Sequence, residues 1–266
     1  MIVLRAGAHR AEVDPALGGR LRSLRIDGDE VIGGAPAPAG GTPSWFSGCF
    51  PMAPYAGNVR DAAFTFAGAR HELPRNNGAH ATHGLVDDTP WQVLAQDDHA
   101  VTLRTELPAA WPFGGWVEQR IRMGASALSL SLRCGNDERA MPVALGFHPW
   151  FRPEVAGHPA QLDFRPEARY AADGSGLFGE PVPDLGARPW DDPFVHPGTP
   201  RIDWGPLRLT LSASTPVWLV YERQAEGFCV EPLTAPPDGL AADRAQIARP
   251  GFPSRLDLRL SWARRA

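Results

Sequence analysis

Two short stretches place an ionisable group inside an apolar run and stop it with a proline. Residues 145–151 read LGFHPWF, and residues 227–239 read GFCVEPLTAPPDG. A buried imidazole or carboxylate must be hydrogen-bonded or held neutral, at a cost that leucine would not incur. Each has a plain explanation: His148 as a satisfied core histidine, Glu231 as a carboxylate paired with arginine at a strand end. Together they also have a chemical one. Withdrawal from water behind Phe228, Cys229 and Val230 raises a carboxyl pKa toward the range useful to a general base. An imidazole in a different environment can then deliver a proton while the carboxylate removes one.

Other residues extend or compete with this pair. HATHGLV (80–86) sets His80 and His83 three apart, and with His148 they could form a three-histidine zinc site. That spacing fits one helical turn, which the Gly- and Asn-rich NNGAHATHG disfavours, so the expectation is no metal. No Gly-x-Ser-x-Gly is present for a serine nucleophile. Trp150 follows His148 by two residues, and Trp190 sits beside Asp191 in RPWDDPF. Most tryptophans of a β-sandwich are core. An aromatic face flanked by carboxylates nonetheless suits a sugar, whose C–H face stacks while its hydroxyls take hydrogen bonds.

Composition removes several classes of chemistry. The chain has 266 residues and no lysine, every basic side chain other than histidine being arginine. Schiff-base aldolases, pyridoxal-phosphate enzymes and P-loop NTPases each need a lysine and are excluded. Net charge is −4 and the arginines are scattered, which gives nucleic-acid binding no electrostatic support. Cys49, Cys134 and Cys229 are an odd number without Cys-x-x-Cys spacing, as expected of a reduced, intracellular protein. The N-terminus, MIVLRAGAHR, meets Arg5 before a signal-peptide core develops. No apolar run reaches the about 18 residues of a membrane span, so the expectation is a soluble cytoplasmic protein without a membrane partner.

The elements that would position these groups are strands. VTLRTEL (101–107), LSLSLR (128–133), LRLTLS (207–212) and RLDLRLSW (255–262) alternate apolar and polar residues, as half-buried antiparallel strands do. Gly and Pro number 28 each, a density that breaks long helices and marks frequent turns. Many short strands without a βαβ rhythm predict an all-β protein, a large antiparallel β-sandwich, with residues 1–266 as one domain. The stretch 33–44, GGAPAPAGGTPS, reads as a loop, and 171–206 as a long surface excursion.

Taken in order, the motifs resemble the aldose 1-epimerase (galactose mutarotase-like) family from end to end. PALGGRLRSLRIDGDEVI (15–32) is similar to its opening strands. FPMAPYAG followed by HGLV and Pro90-Trp91 is similar to its first active-site segment. GFHPWF resembles its Gly-aromatic-His-Pro-aromatic-Phe strand, and VEPLTAPPDG its closing segment. The resemblance implies the galactose mutarotase-like supersandwich and interconversion of the α and β anomers of free aldoses without a cofactor. It further implies Glu231 as the base at the C1 hydroxyl and His148 as the acid at the ring oxygen. His83 would hold and polarise the sugar, and Asp191, with Asp192 adjacent, would accept hydroxyl hydrogen bonds. One position departs from the family. The slot after Pro-aromatic-Ala-Gly, usually arginine, holds Asn58, and Arg60 follows two residues on, the same face of a strand.

Two further readings stand beside a free-aldose epimerase. A sugar-phosphate (hexose 6-phosphate) 1-epimerase would need an arginine clamp, for which Arg60, Arg75 and Arg152 are available. A non-catalytic carbohydrate-binding or regulatory module on the same fold draws support from Asn58. Selectivity is expected in the loops around 33–48, 75–90 and 171–206.

Overall fold

Ser254–Arg264 shows how the alternation is used: Ser254, Leu256, Leu258, Leu260 and Trp262 are buried, while the residues between them face outward. The computed structural model, which describes residues 1–34, 43–172 and 178–265, sets this strand in the middle of an eight-stranded antiparallel sheet. Ala127–Gly135 flanks it on one side and Leu207–Ala213 on the other. Ala100–Glu106 and Trp116–Met123 continue the sheet beyond Ala127–Gly135. All four alternating segments are therefore strands of one sheet.

The larger sheet has eleven strands. It opens with a meander through Ile2–Ala6, His9–Asp14, Arg20–Ile26 and Asp29–Ile32, then passes to Gly146–Phe151, Gly227–Leu233, Val217–Gln224 and Asp191–Val195. Cys49–Met52 pairs with both Gly146–Phe151 and Arg20–Ile26. Gly146–Phe151 is buried along its whole length, so it reads as a continuous apolar run and not as an alternation. Side chains of both sheets, Leu24 and Ile26 from one with Leu130 and Leu258 from the other, share one apolar core.

Residues 171–206 differ from expectation. They include the strands Phe178–Val182, Asp191–Val195 and Arg201–Trp204, with 173–177 outside the described residues. Prolines inside the strands masked them. Pro181 lies on the last strand of the larger sheet, and Pro193 is paired with Leu219 on one side only, so neither needs an N–H for the ladder. The centre of the 33–44 stretch, 35–42, lies outside the described residues; its end forms the short 3₁₀ turn Pro43–Phe46. Among the described residues, no helix is long and apolar enough to cross a membrane.

Candidate active site

Strand register brings the two proline-stopped groups together. Gly146 pairs with Leu233 and Trp150 with Cys229, and the same antiparallel register puts His148 across from Glu231 on the next strand. Nε2 of His148 lies 3.4 Å from Oε1 of Glu231, the side chains being 8% and 3% exposed. On its other side His148 pairs with Phe50, and the two rings stack with centroids 4.6 Å apart. The guanidinium of Arg20, fully buried, lies 4.6 Å from the centre of the same Phe50 ring and donates to the carbonyl of Ser47 at 2.7 Å.

Burial sets the charge state of the pair. It pushes the Glu231 carboxyl well above the ordinary carboxylate range, and nearby Asp191 adds to the rise. It holds the His148 imidazole well below the usual histidine value, with His83 and Arg20 contributing in the same direction. Two separated charges are disfavoured in this dry floor, so the pair holds one proton between a carboxyl and an imidazole.

His83 meets this pair edge-on, its ring centroid 5.1 Å from that of His148 and 5.2 Å from Trp45. The chain turns sharply to present it. His83 has φ 61° and donates its N–H to Gly57 at 3.0 Å, a left-handed conformation that is rare outside Gly, Asn and Asp and that concentrates at functional sites. Gly84 follows at φ 85°, where a Cβ would come within 2.3 Å of the Ala53 carbonyl oxygen. Burial lowers the His83 pKa to about 4, and Nδ1 is buried without a hydrogen-bond partner among the described residues.

These groups face a cavity of about 550 Å³, within the range of small-molecule sites. Trp45, Trp150, Tyr221 and Asp191 contribute to its walls. The Trp150 indole N–H donates to the Trp45 carbonyl at 2.6 Å, and the Trp45 indole N–H donates to Asp87 at 3.0 Å. Burial pushes Asp87 up to about 6. Asp191 pairs in register with Tyr221 and lies 3.9 Å from the Nε of Arg223. Asp192 also lines the cavity, but one of its oxygens accepts from Arg169 at 3.2 Å.

Some expected residues are placed elsewhere. Asn58 lines the cavity and accepts from Asn77 at 3.2 Å. Arg60 is not among the lining residues, because Asp238 accepts its backbone N–H at 2.8 Å and its Nε at 3.4 Å. The Asn58–Val59 strand ends before it, and Asp61 turns left-handed, so strand alternation does not carry to Arg60. Arg75 and Arg152 do not line the cavity either; Arg152 is bound to Glu30 at 2.5 Å. His80 accepts the backbone N–H of Asp61, apart from the other histidines. Trp190 packs against Phe164 and Phe194 in the core.

Several lining residues are not singled out by the motifs, Trp45, Tyr221 and Arg223 among them, and Phe50 and Cys229 pack behind the lining. Tyr221 and Leu219 alternate on Val217–Gln224, a pattern readable in VWLVYER, whereas Phe50 and Trp45 arrive through pairings distant in sequence. Cys229 shares the face of Glu231, two residues before it. Among the described residues, one His, Cys, Asp or Glu group gathers its ligand atoms closely enough for a metal ion: His148, Cys229 and Glu231, within 4.8 Å of one another.

A sequence model of the family described as aldose 1-epimerase matches residues 1–173. The fold is similar to that of a provisionally assigned aldose 1-epimerase of Escherichia coli K12, at TM-score 0.85 and 19% identity over 99% of this chain and 98% of that one. It is similar to a GalM/aldose epimerase homologue from C. elegans, at TM-score 0.80 and 15% identity over 100% and 99%. It is similar also to a galactose 1-epimerase from Lactobacillus acidophilus NCFM, at TM-score 0.79 and 16% identity over 99% and 94%. No curated protein sequence matches significantly. At these identities the structural likeness is one of fold, and the sequence match carries the assignment. The chain belongs to the aldose 1-epimerase family of isomerases.

Proposed function

We propose that the protein interconverts the α and β anomers of a free aldose by opening and reclosing the pyranose ring. Opening requires a proton to leave O1 as another reaches the ring oxygen. Both oxygens are bonded to C1, so the acid and the base that serve them must be neighbours. The 3.4 Å approach of His148 to Glu231 at the cavity floor meets that requirement and carries the proposal. The shared proton moves to His148 and on to the ring oxygen, and Glu231, left as the carboxylate, takes the O1 proton, so the pair ends with one proton as it began. The open aldehyde turns about C1–C2 and recloses from its other face, and the two groups then exchange tasks. His83, neutral near pH 7, polarises the ring oxygen. Asp191 accepts from sugar hydroxyls, and Trp45 and Trp150 offer apolar surface to the C–H face.

Charge favours a neutral sugar over a sugar phosphate. Arg223 is the one arginine among the described lining residues, and Asp191 faces it. The stretches 35–42 and 173–177 contain no arginine that could add to a clamp. A second reading, sugar binding without catalysis, is favoured by Asn58 in the arginine slot together with the capture of Arg60 by Asp238.

The test is the equilibration of fresh α-glucose and α-galactose followed by polarimetry or NMR. Acceleration that Glu231→Gln removes supports the epimerase. Calorimetric binding without acceleration supports the second reading.

A further inference from the structure

The proton-transfer pair has a third neighbour that the proposed chemistry does not use. Cys229 is fully buried, two residues before Glu231 on the same face of Gly227–Leu233 and in register with Trp150. Its sulfur, the imidazole of His148 and the carboxylate of Glu231 each bring a ligand atom within 4.8 Å of the others. Cys229 is not among the residues lining the cavity, whereas His148 and Glu231 are. The sulfur therefore lies beneath the floor, and the other two donors sit at its surface.

We propose that His148, Cys229 and Glu231 form an inhibitory site for Zn²⁺. Nitrogen, thiolate sulfur and carboxylate oxygen are the donors zinc takes, and three protein ligands with an open fourth position make an accessible zinc site. Ligands on a tetrahedral zinc, bonded at about 2.0–2.3 Å, stand roughly 3.3–3.8 Å apart. The 3.4 Å between His148 Nε2 and Glu231 Oε1 already has that spacing. Closing the third corner needs a side-chain adjustment on the order of 1 Å. One thiolate and one carboxylate cancel the two charges of the ion, so the buried cluster carries no net charge. The fourth position faces the cavity, where water or a sugar hydroxyl can occupy it.

Loading breaks the Cys229 S–H bond and forms an S–Zn bond, and the thiol proton passes to solvent. The proton shared by His148 and Glu231 leaves as well, because zinc takes the lone pairs that held it. The ion then occupies both atoms that ring opening needs. Metal binding does not depend on the proposed function; inhibition rests on it.

The experiment uses the full-length protein freed of metal with a chelator and then desalted. Zinc titration by calorimetry in buffers of different ionisation enthalpy is expected to show one ion per chain, with Kd below about 10 µM near neutral pH. About two protons should be released per ion. Cobalt(II) should give a near-ultraviolet thiolate charge-transfer band. Cys229→Ser should weaken zinc binding by at least about tenfold, abolish the cobalt band and leave mutarotation in metal-free buffer unchanged. Zinc should then inhibit mutarotation by the wild type at concentrations that spare Cys229→Ser. Wild-type Kd above about 10 µM, or binding equal in Cys229→Ser, overturns the site. Absence of mutarotation in the metal-free wild type overturns the proposed function and the inhibition with it, while the zinc site itself is decided by stoichiometry, proton release and the cobalt band, which are read without activity.

Discussion

The Nε2 of His148 stands 3.4 Å from the Oε1 of Glu231 with both side chains almost wholly withdrawn from water. The approach is fixed by two neighbouring strands in the interior of the larger sheet. Loop closure is not needed to bring the pair together, and its geometry is as firm as the sheet ladder.

Replacing Glu231 with Gln keeps the side-chain volume and removes the proton acceptor. Catalysed mutarotation is expected to fall about 10²–10⁴-fold in kcat. Far-ultraviolet circular dichroism and Tm should remain close to the wild-type values, because a buried amide replaces a buried uncharged carboxyl of the same shape. Activity close to wild type would remove Glu231 from the mechanism.

The pH profile follows from the directions of the two shifts. A pair holding one proton loses activity on the acid side when it gains a second, and on the alkaline side when it loses the first. The depressed histidine places the acid limb of kcat/KM below the usual histidine value, and the raised carboxyl places the alkaline limb above the usual carboxylate value. Initial rates over a pH series check this, and an acid limb at or above about 6.5 would contradict it.

His83 should make the fold acid-sensitive. Its pKa is near 4 folded, against about 6.5 for a histidine in water, so between those values the unfolded chain binds the proton and the native one does not. Stability is complete above the upper value and declines as pH falls through the window, by up to about 3 kcal/mol from this group. Asn tolerates the left-handed backbone at this position, so His83→Asn removes the titration without imposing new strain. Chemical denaturation at pH 7 and pH 4.5 should show a smaller difference for the variant than for the wild type.

Substrate charge gives a further prediction. Asp191 and Asp192 line the cavity, each paired with an arginine, and Arg223 is the one cation among the described lining residues. Turnover of a free hexose is expected to exceed that of its 6-phosphate by at least about tenfold in kcat/KM. Coupled assays with both substrates would measure the ratio, and a preference for the phosphate would reverse the assignment.

What could be read from residue order alone divides by sequence distance. Ala127–Gly135 and Ser254–Arg264 announce themselves through alternation, and His148 and Glu231 through being ionisable groups in apolar runs. These are local signals. The meeting of Arg60 with Asp238 spans 178 positions, and no pattern near Arg60 discloses it. The hydrogen bond from Trp150 to the Trp45 carbonyl and the stacking of Phe50 on His148 likewise join residues far apart in the chain. Asp191–Val195 was hidden because Pro193 reads as a break unless its unpaired side is known.

The floor of the cavity is made of strands, while Trp45 and His83 reach it from the Pro43–Phe46 turn and a left-handed bend. On the proposed function, exchanging the Pro43–Phe46 turn would alter which sugar is accepted and leave the His148–Glu231 pair on its strands. Such a scaffold can diversify its substrates by editing its edges while inheriting its chemistry intact.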